Sequence, residues 1–267
     1  MRILATNDDG IRAEGLWTLA SELSRIAEVV VVAPDRDHSG AGTSVTLRQP
    51  LRITRIESPV QAIPAYSVEG TPADSVILAI NAILRGKNID FVVSGVNEGP
   101  NLGDDVFISG TVGAALQGYL RGIRSIALSV AGSGALHFEV AARVARILVS
   151  SITMADLSHR LLLNINLPNL ELRALKGIEV TRLGERKYPD GIESRYDAER
   201  DYYRIIRGNS EWHAPPGTDV WAIRQGLISL TPFPVAGAIE SMTQWEFFQQ
   251  LAIHVYHELL NEAKKEV

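Results

Sequence analysis

The sequence predicts an α/β fold in which helices cover both faces of a doubly wound, mostly parallel β-sheet. Three observations support this prediction. Apolar runs of strand length alternate with segments whose apolar residues recur at helical spacing. The run at residues 29–33 is continuously apolar and rich in valine, which is typical of a strand buried on both faces. Helix-capping and helix-ending residues lie between the two kinds of segment.

Strand-like and helix-like segments alternate through the first two-thirds of the chain. The strand-like segments are residues 2–6, 29–33, 91–94, 125–129 and 161–166, and the helix-like segments are residues 16–26, 71–85, 110–121 and 135–150. Pro34 ends the second strand, because a proline cannot donate to a strand ladder. Thr71 can cap the second helix, Pro72 suits its start and Gly86 can end it. We expect residues 161–166 to form the last strand of this core.

The pattern changes after Pro168. Short strand-like pieces follow near residues 177–182, 201–207 and 219–231, and they predict an antiparallel appendage rather than further βαβ units. Residues 240–264 form a predicted long helix. Its apolar stripe consists of Phe248, Leu251, Ala252, Val255 and Leu259. Further apolar residues stand elsewhere around this helix, so we expect it to be buried against its own chain or against a partner subunit.

Composition and charge exclude several classes of protein. The 267 residues carry a net charge of −5, which argues against binding nucleic acid through its phosphates, so we expect no nucleic-acid partner. The chain has no cysteine, which excludes disulfides, zinc–thiolate sites and a cysteine nucleophile. No apolar run approaches the ~18–20 residues of a membrane span, and no signal-peptide pattern begins the sequence. We expect no membrane partner and a cytoplasmic location.

Two adjacent carboxylates follow the first predicted strand, in the sequence Thr6-Asn7-Asp8-Asp9-Gly10. Two like charges in contact repel by about 4 kcal/mol at an effective dielectric constant of about 20. A bound divalent cation would offset this repulsion, and strand ends of open α/β sheets point into the ligand crevice. The same residues can also form an ordinary turn that caps the next helix. From this segment alone the two interpretations have equal weight.

Two further loops at predicted strand ends carry oxygen donors. Ser39, after the second strand, can offer a hydroxyl oxygen to a metal. Asn97 and Asn101 lie in a long glycine-rich loop after the third strand, and such a loop is uncommon inside a compact domain unless it has a function. Asn97 can supply a carbonyl oxygen, and Asn101 is near enough to reach the same crevice. We expect Asp104 and Asp105, in the same loop, to be structural and near a helix start.

A third segment, Ser109-Gly110-Thr111, opens a predicted helix. Small and hydroxyl residues at a helix N-terminus can form a phosphate cradle, because the backbone N–H groups there are free and the helix dipole favours an anion. The alternative is that Ser109 or Thr111 only caps the helix and binds no ligand. On its own this signal is weak.

Asp8, Asp9, Ser39 and Asn97 together provide two anionic and two neutral oxygen donors. Such hard ligands suit Mg²⁺, Mn²⁺ or Ca²⁺ and are poor ligands for copper or zinc. A hard cation beside an anion-binding helix end suggests hydrolysis of a phosphoryl group with metal-activated water. A phosphatase of the haloacid-dehalogenase type would need a nucleophilic aspartate where this chain has Asn7, which excludes that class.

Several motifs of the sequence resemble the SurE family, the stationary-phase survival proteins with 5′/3′-nucleotidase activity. They are residues 6–11 (TNDDGI), 33–40 (APDRDHSG), 70–74 (GTPAD), 94–103 (SGVNEGPNLG), 109–112 (SGTV), 218–219 (TD) and 229–232 (SLTP). The resemblance extends over about residues 1–232. The agreement of so many motifs in the same order leaves little room for chance.

The resemblance implies a Rossmann-like core with a β-hairpin extension and a long C-terminal helix exchanged between subunits of a homodimer or homotetramer. It implies a phosphatase that hydrolyses nucleoside monophosphates with one divalent cation per subunit, Mg²⁺ or Mn²⁺. The family's metal ligands match Asp8, Asp9, Ser39 and Asn97. The general base stays unassigned, and Asp9 is the carboxylate whose position suits that role best. The predicted catalytic residues are Asp8, Asp9 and Asn97, and the predicted phosphate-binding residues are Asn7, Asn101, Ser109, Gly110 and Thr111.

The chain is accordingly divided into an α/β core at residues 1–170, which carries the site, and residues 171–267. The second part comprises the hairpin extension, a closing strand and the terminal helix for oligomerisation. Ile108 stands where the family often has tyrosine, and residues 187–204 match the family poorly, so substrate preference stays open. A module that binds a metal and a nucleotide without turnover is the alternative function.

Overall fold

The computed structural model describes residues 1–155, 161–187, 190–197, 200–207, 211–233 and 242–265. Its strands are β1 (Arg2–Thr6), β2 (Glu28–Pro34), β3 (Ile53–Ile56), β4 (Ala65–Val68), β5 (Phe91–Glu98), β6 (Arg124–Ala131), β7 (Leu162–Pro168), β8 (Ile178–Val180), β9 (Glu185–Lys187), β10 (Asp190–Asp197), β11 (Arg200–Arg207), β12 (Glu211–His213) and β13 (Ile228–Pro232). Its helices are α1 (Glu14–Leu23), α2 (Pro72–Leu78), α3 (Gly110–Leu120), α4 (Phe138–Met154), α5 (Asp219–Gln225) and α6 (Met242–Lys265). A π-helical turn (Ala79–Ile83) extends α2, and 3₁₀ turns lie at Gly103–Phe107 and Leu172–Ala174.

A nine-stranded sheet forms the centre of the molecule, in the order β3-β4-β2-β1-β5-β6-β7-β13-β8. β1 pairs in parallel with β2 and β5, and β6 pairs in parallel with β5 and β7. β2 pairs in parallel with β4, and β13 pairs in parallel with β8. Only the pairs β3–β4 and β7–β13 within this sheet are antiparallel. The prediction of a mostly parallel α/β sheet is confirmed.

Helices cover both faces of the sheet. α1 and α4 lie on one face, over the larger apolar core in which Leu19, Leu148 and Leu163 are buried. α2 and α3 lie on the other face, where Val92 and Ala114 are buried. The central strands carry nearly continuous apolar runs because both of their faces are covered.

The cap of α2 forms as the sequence indicates. The Thr71 hydroxyl accepts a hydrogen bond from the Asp74 N–H at 3.1 Å, and the Asp74 carboxylate accepts one from the Thr71 N–H at 2.9 Å. Two strands, β3 and β4, are absent from the sequence prediction. Each has four residues and is only partly buried, so neither shows a period long enough to recognise.

The prediction of a strand-like piece over residues 219–231 is wrong in its first half. Asp219–Gln225 form α5, because the Thr218 hydroxyl caps the Trp221 N–H and Gly226 ends the helix at φ 78°. Only the part from Ile228 onward is a strand. The sheet continues beyond the strand predicted at residues 161–166, because β13, which corresponds to the predicted closing strand, pairs with β7, and β8 pairs with β13.

The antiparallel appendage is confirmed for the piece near residues 201–207 only, because the pieces near 177–182 and 228–231 belong to the nine-stranded sheet as β8 and β13. β10 and β11 form an antiparallel hairpin, and β9 pairs antiparallel with β12. These four strands lie outside the nine-stranded sheet. The hairpin predicted for the second part of the chain is therefore present, whereas the division of the chain at residue 170 stays a prediction.

The terminal helix α6 begins at Met242, close to the predicted 240–264, and residues 240–241 lie outside the described residues. Its predicted stripe is buried: Phe248, Leu251, Ala252, Val255 and Leu259. Within the chain this helix contacts α4 and β8. None of the described helices is long and apolar enough to cross a membrane.

Arg146 of α4 ties the terminal helix to the core. Its Nε donates to Glu22 of α1 at 2.7 Å, and its Nη2 donates to both carboxylate oxygens of Glu262 of α6 at 2.6 Å. Burial alone would lower the pKa of Arg146, but the hydrogen bonds to the two carboxylates outweigh it and raise that pKa. Three helices are thus joined by one half-buried guanidinium.

We expect Arg146→Met to lower the free energy of unfolding by about 1–3 kcal/mol, because Glu262 loses its bond to Arg146 and Glu22 keeps only the exposed Arg25 as a charged partner. Urea denaturation at low ionic strength measures this loss. Arg85→Met is the control, since Arg85 is exposed. Equal midpoints for the two variants would contradict the role of Arg146.

Candidate active site

A cleft of about 170 Å³ lies at the carboxyl edge of the parallel strands. It is lined by Asp8, Ser39, Gly40, Asn97, Glu98, Gly99, Pro100, Asn101, Asp105, Ile108 and Ser109. Five residues of the predicted site line this cleft, and they come from four separate segments of the sequence. The carboxyl ends of β1, β2 and β5 and the start of α3 therefore meet where the sequence places a site.

Backbone hydrogen bonds hold the first two of these segments together. The His38 N–H donates to the Asp8 carbonyl at 2.8 Å, which places the loop after β2 beside the end of β1. The Glu98 N–H lies 3.4 Å from the Asp9 carboxylate, which links β5 to the same point. Asn7 is fully buried and donates to the Gly10 carbonyl at 3.0 Å.

An irregularity in β5 places Asn97. This strand continues to Glu98 rather than ending near residue 94 as predicted, and its register against β6 shifts between Ser94 and Asn97. Glycine is required at Gly95, because a Cβ there would lie 2.3 Å from the Leu128 carbonyl oxygen. Irregularities of this kind commonly redirect a side chain beside a functional site.

Asp8 and Asp9 carry an electrostatic cost in this position. Asp8 is 4% exposed, and burial raises its pKa. Burial and the neighbouring charge of Asp8 raise the pKa of Asp9 to about 7. Within the described part of the chain neither carboxylate has a basic ion-pair partner. Groups perturbed in this way in a cleft are typical of a functional site.

Each of the four predicted metal ligands keeps an oxygen available. Asp8 accepts the hydroxyl of Thr111 on one oxygen only. The Ser39 hydroxyl donates to Asp37 at 2.6 Å, which leaves its lone pairs free. The Asn97 amide nitrogen donates to the Gly99 carbonyl at 2.8 Å, which leaves its Oδ1 free. These donors fit a hard cation, and their hydrogen bonds would orient them as outer-shell partners do.

Two carboxylates and two neutral oxygens lack the imidazole and thiolate ligands that softer metals prefer. Among the described residues, no group of three or more His, Asp or Glu side chains is arranged to hold a metal ion. The chain also contains no cysteine. The oxygen donors of the cleft suit a hard cation better than zinc or copper.

The start of α3 approaches Asp8 very closely. A Cβ on Gly110 would lie 2.7 Å from the Asp8 Cβ, so a larger residue would displace the carboxylate. Ser109 caps the helix by accepting the Val112 N–H at 3.1 Å, which confirms the cap interpretation for this residue. Thr111 is fully buried beneath Asp8. The phosphate contacts of these residues stay predictions.

The position of Asn101 depends on polar residues that the sequence analysis did not select. Its backbone N–H donates to Asn166 Oδ1 at 2.8 Å, and its carbonyl accepts from Asn164 and Asn166 at 2.8 and 3.0 Å. Its side-chain amide donates to the Ser129 hydroxyl at 2.9 Å. The signal was present, since two asparagines in a buried apolar strand are unusual.

Asp219 is a second buried support for the loop. Its carboxylate accepts the N–H groups of Gly103, Gly184 and Val220, each at 2.8 Å. Burial raises its pKa, although these backbone donors oppose that rise. Asp105, which we expected near a helix start, lies in the 3₁₀ turn before α3 and lines the cleft.

We expect Asp9→Asn to stabilise the metal-free protein at pH 8, because it removes a buried negative charge beside Asp8. The pKa of Asp9 in the fold, about 7, lies above its ordinary value, so metal-free protein loses stability as pH rises from about 4 to 7. The gain should therefore increase from pH 5 to pH 8 and reach at least about 2 °C in Tm at pH 8.

Thermal unfolding in EDTA at both pH values measures this difference. Asp90→Asn makes the same change at the opposite edge of the sheet, where Asp90 accepts the Arg2 N–H at 2.7 Å. That control should lose stability at both pH values. A lower Tm for Asp9→Asn at pH 8 would refute the electrostatic cost assigned to the pair.

Comparison with known proteins relates this cleft to a family. Residues 3–190 match the family model described as "Survival protein SurE". The chain is 47% identical over 236 residues to the 5′-nucleotidase SurE of Vibrio vulnificus strain CMCP6, covering 88% of this chain and 90% of that protein. It is 43% identical over 263 residues to the 5′-nucleotidase SurE of Legionella pneumophila strain Philadelphia 1, covering 98% of each.

A solved structure shows the same fold. The crystal structure of the SurE protein from Aquifex aeolicus superposes with a TM-score of 0.76 at 38% identity, covering 93% of this chain and 100% of that chain. Together with the family match and the two relatives, this structure establishes that the chain belongs to the SurE family.

Proposed function

We propose that this chain is a 5′-nucleotidase, a phosphoric monoester hydrolase that converts nucleoside monophosphates to nucleoside and phosphate. The observation that carries the proposal is the acidic pair Asp8–Asp9 at the N-terminus of α3, where Asp8 is buried and lines the cleft and Asp9 is half-buried beside it. Relatives named as 5′-nucleotidases share 43–47% of their residues with it over most of its length. Hydrolysis at the 3′ position belongs to the same proposal, and the same assay tests it.

One divalent cation, Mg²⁺ or Mn²⁺, is part of the proposal. Asp8, Asp9, Ser39 and Asn97 would hold it, since each has an oxygen lone pair available for a cation. When bound, such a cation polarises a phosphoryl oxygen and lowers the pKa of water. Asp8, Asp9 and Asn97 form the proposed catalytic set, with Asp9 placed to accept a proton from the attacking water.

The phosphate group would lie against the start of α3. The first N–H groups of a helix have no intrahelical partner, and the helix dipole favours an anion there. Ser109, Gly110 and Thr111 supply these groups, and Gly110 lets the backbone approach Asp8. Asn101 and Asn7 complete the proposed phosphate side.

Phosphate release from a panel of nucleoside 5′- and 3′-monophosphates tests the proposal. We expect release with Mg²⁺ or Mn²⁺ and none with EDTA. Asp8→Asn should lower kcat/KM by at least about a hundredfold, because a metal ligand and its charge are lost. Asp90→Asn is the matched control and should retain activity. Binding of nucleotide and metal without release would support the non-catalytic module instead.

Thr111 is expected to tune the cation site through Asp8. Thr111→Val keeps the shape of the side chain but removes the hydroxyl that donates to Asp8. We expect it to weaken Mn²⁺ binding by about 10–100-fold, as removal of an outer-shell partner does, while Thr111→Ser retains the affinity. Titration calorimetry measures both. Equal affinities for the two variants would show that the hydroxyl does not orient Asp8.

Assembly into a homodimer or homotetramer and a cytoplasmic location are also proposed. The support for assembly is an apolar face on the β10–β11 hairpin, where Ile192, Tyr203 and Ile205 are 63–71% exposed. Ile192 pairs with Ile205 and Ser194 with Tyr203, so the three apolar side chains share one face. Exchange of α6 between subunits stays a prediction from the family.

Light scattering after gel filtration tests the assembly. We expect a mass of two or four times the 29.1 kDa of the chain. The double change Ile192→Lys with Ile205→Lys should lower that mass, because it places charges on the apolar face. Met154→Lys, at an exposed position of α4, is the control. A parent protein of 29.1 kDa in solution would contradict assembly.

A further inference from the structure

The backbone of Asn101 is held by side chains rather than by a strand. Asn166 of β7 uses both ends of its amide, accepting the Asn101 N–H at 2.8 Å and donating to the Asn101 carbonyl at 3.0 Å. Asn164 donates to the same carbonyl at 2.8 Å. Asn164 and Asn166 are both fully buried. This reciprocal pairing reproduces, with a side chain, what a neighbouring strand would supply.

Asn101 lies in a loop segment with a glycine two residues away on each side. Gly99 and Gly103 have φ of 106° and 52°, values that favour glycine. Rotation at these glycines would move the Asn101 side chain relative to the cleft. The hydrogen bonds from Asn164 and Asn166 fix this backbone. In that position the Asn101 side chain donates to the Ser129 hydroxyl at 2.9 Å and lines the cleft.

Stability of the fold alone does not explain an asparagine at position 164. The Oδ1 of Asn164 is buried and has no hydrogen-bond partner among the described residues. An unpaired buried acceptor destabilises a fold, so an apolar residue would suit this strand better. The amide is explained by its donor, which reaches the loop of the cleft.

We propose that Asn164 and Asn166 are positioning residues, which fix the Asn101 backbone so that its side-chain amide is held for the phosphate group of the substrate. This proposal rests on the proposed function, in which Asn101 contacts that phosphate. The asparagines act through Asn101 and touch neither the substrate nor the cation. They should therefore affect phosphate affinity while leaving the affinity for metal unchanged.

Asn166→Leu and Asn164→Leu test the proposal, because each keeps the volume and removes the bonds to Asn101. We expect KM for the fastest nucleoside 5′-monophosphate and Ki for inorganic phosphate to rise about tenfold, equivalent to about 1.4 kcal/mol. The Kd of Mn²⁺ should stay within about twofold, since no metal ligand changes. If Asn166→Leu does not fold, Asn166→Ser removes the same two bonds with a smaller change.

Asn169→Leu is the matched control. Asn169 pairs in the same two-ended way with another loop, accepting the His137 N–H at 3.0 Å and donating to the Ala135 carbonyl at 2.9 Å. It should lose stability without a change in KM or Ki. Its comparison with Asn166→Leu separates positioning from a general loss of stability.

Each outcome bears on one claim. Parent values of KM and Ki in folded variants at positions 164 and 166 would overturn the positioning role while the nucleotidase function stands. A parent protein without turnover would refute the proposed function. In that case calorimetry of inorganic phosphate in the presence of Mn²⁺ decides the positioning role, and unchanged or absent phosphate binding would overturn it.

Discussion

The withdrawal of two adjacent carboxylates from water, at the end of β1, is the constraint around which the site is arranged. Burial raises the pKa of both Asp8 and Asp9, and the charge of Asp8 adds to the rise at Asp9. The surroundings do not neutralise the pair with a described basic side chain. They supply instead the Thr111 hydroxyl, two neutral oxygens and the N-terminus of a helix. This combination suits a cation bound at the carboxylates and an anion bound next to it at the helix N-terminus.

The sheet has two different faces near this edge. On the face that carries α3, Ser129 pairs in register with Asn166, and Asn166 pairs with Ser229. Residues in register share a face, so polar side chains line this side of the strand ends. The other side is apolar and carries α1 and α4. The polar face holds the irregular loop of the cleft, and the apolar face supplies the core that keeps the strands in place.

The sequence was sufficient for the features that depend on neighbouring residues. The alternating strands and helices, the acidic pair after β1 and the Ser109 cap all follow from local pattern. The hydrogen bonds that hold the Asn101 backbone could not be predicted in this way. Asn166 lies 65 residues from Asn101, and the contact between the two residues depends on the strand order. The same holds for Asp219, which reaches Gly103 across 116 residues. Distant polar contacts require the register, which no local pattern specifies.

The central claim is that the Asp8–Asp9 pair exists to hold one divalent cation. Anomalous diffraction from crystals soaked in Mn²⁺ tests it most directly. The account predicts one peak per chain, with oxygens of Asp8, Asp9, Ser39 and Asn97 at about 2.0–2.6 Å. A peak elsewhere, for example beside Asp104 and Asp105, or no peak at Mn²⁺ concentrations that support turnover, would contradict it.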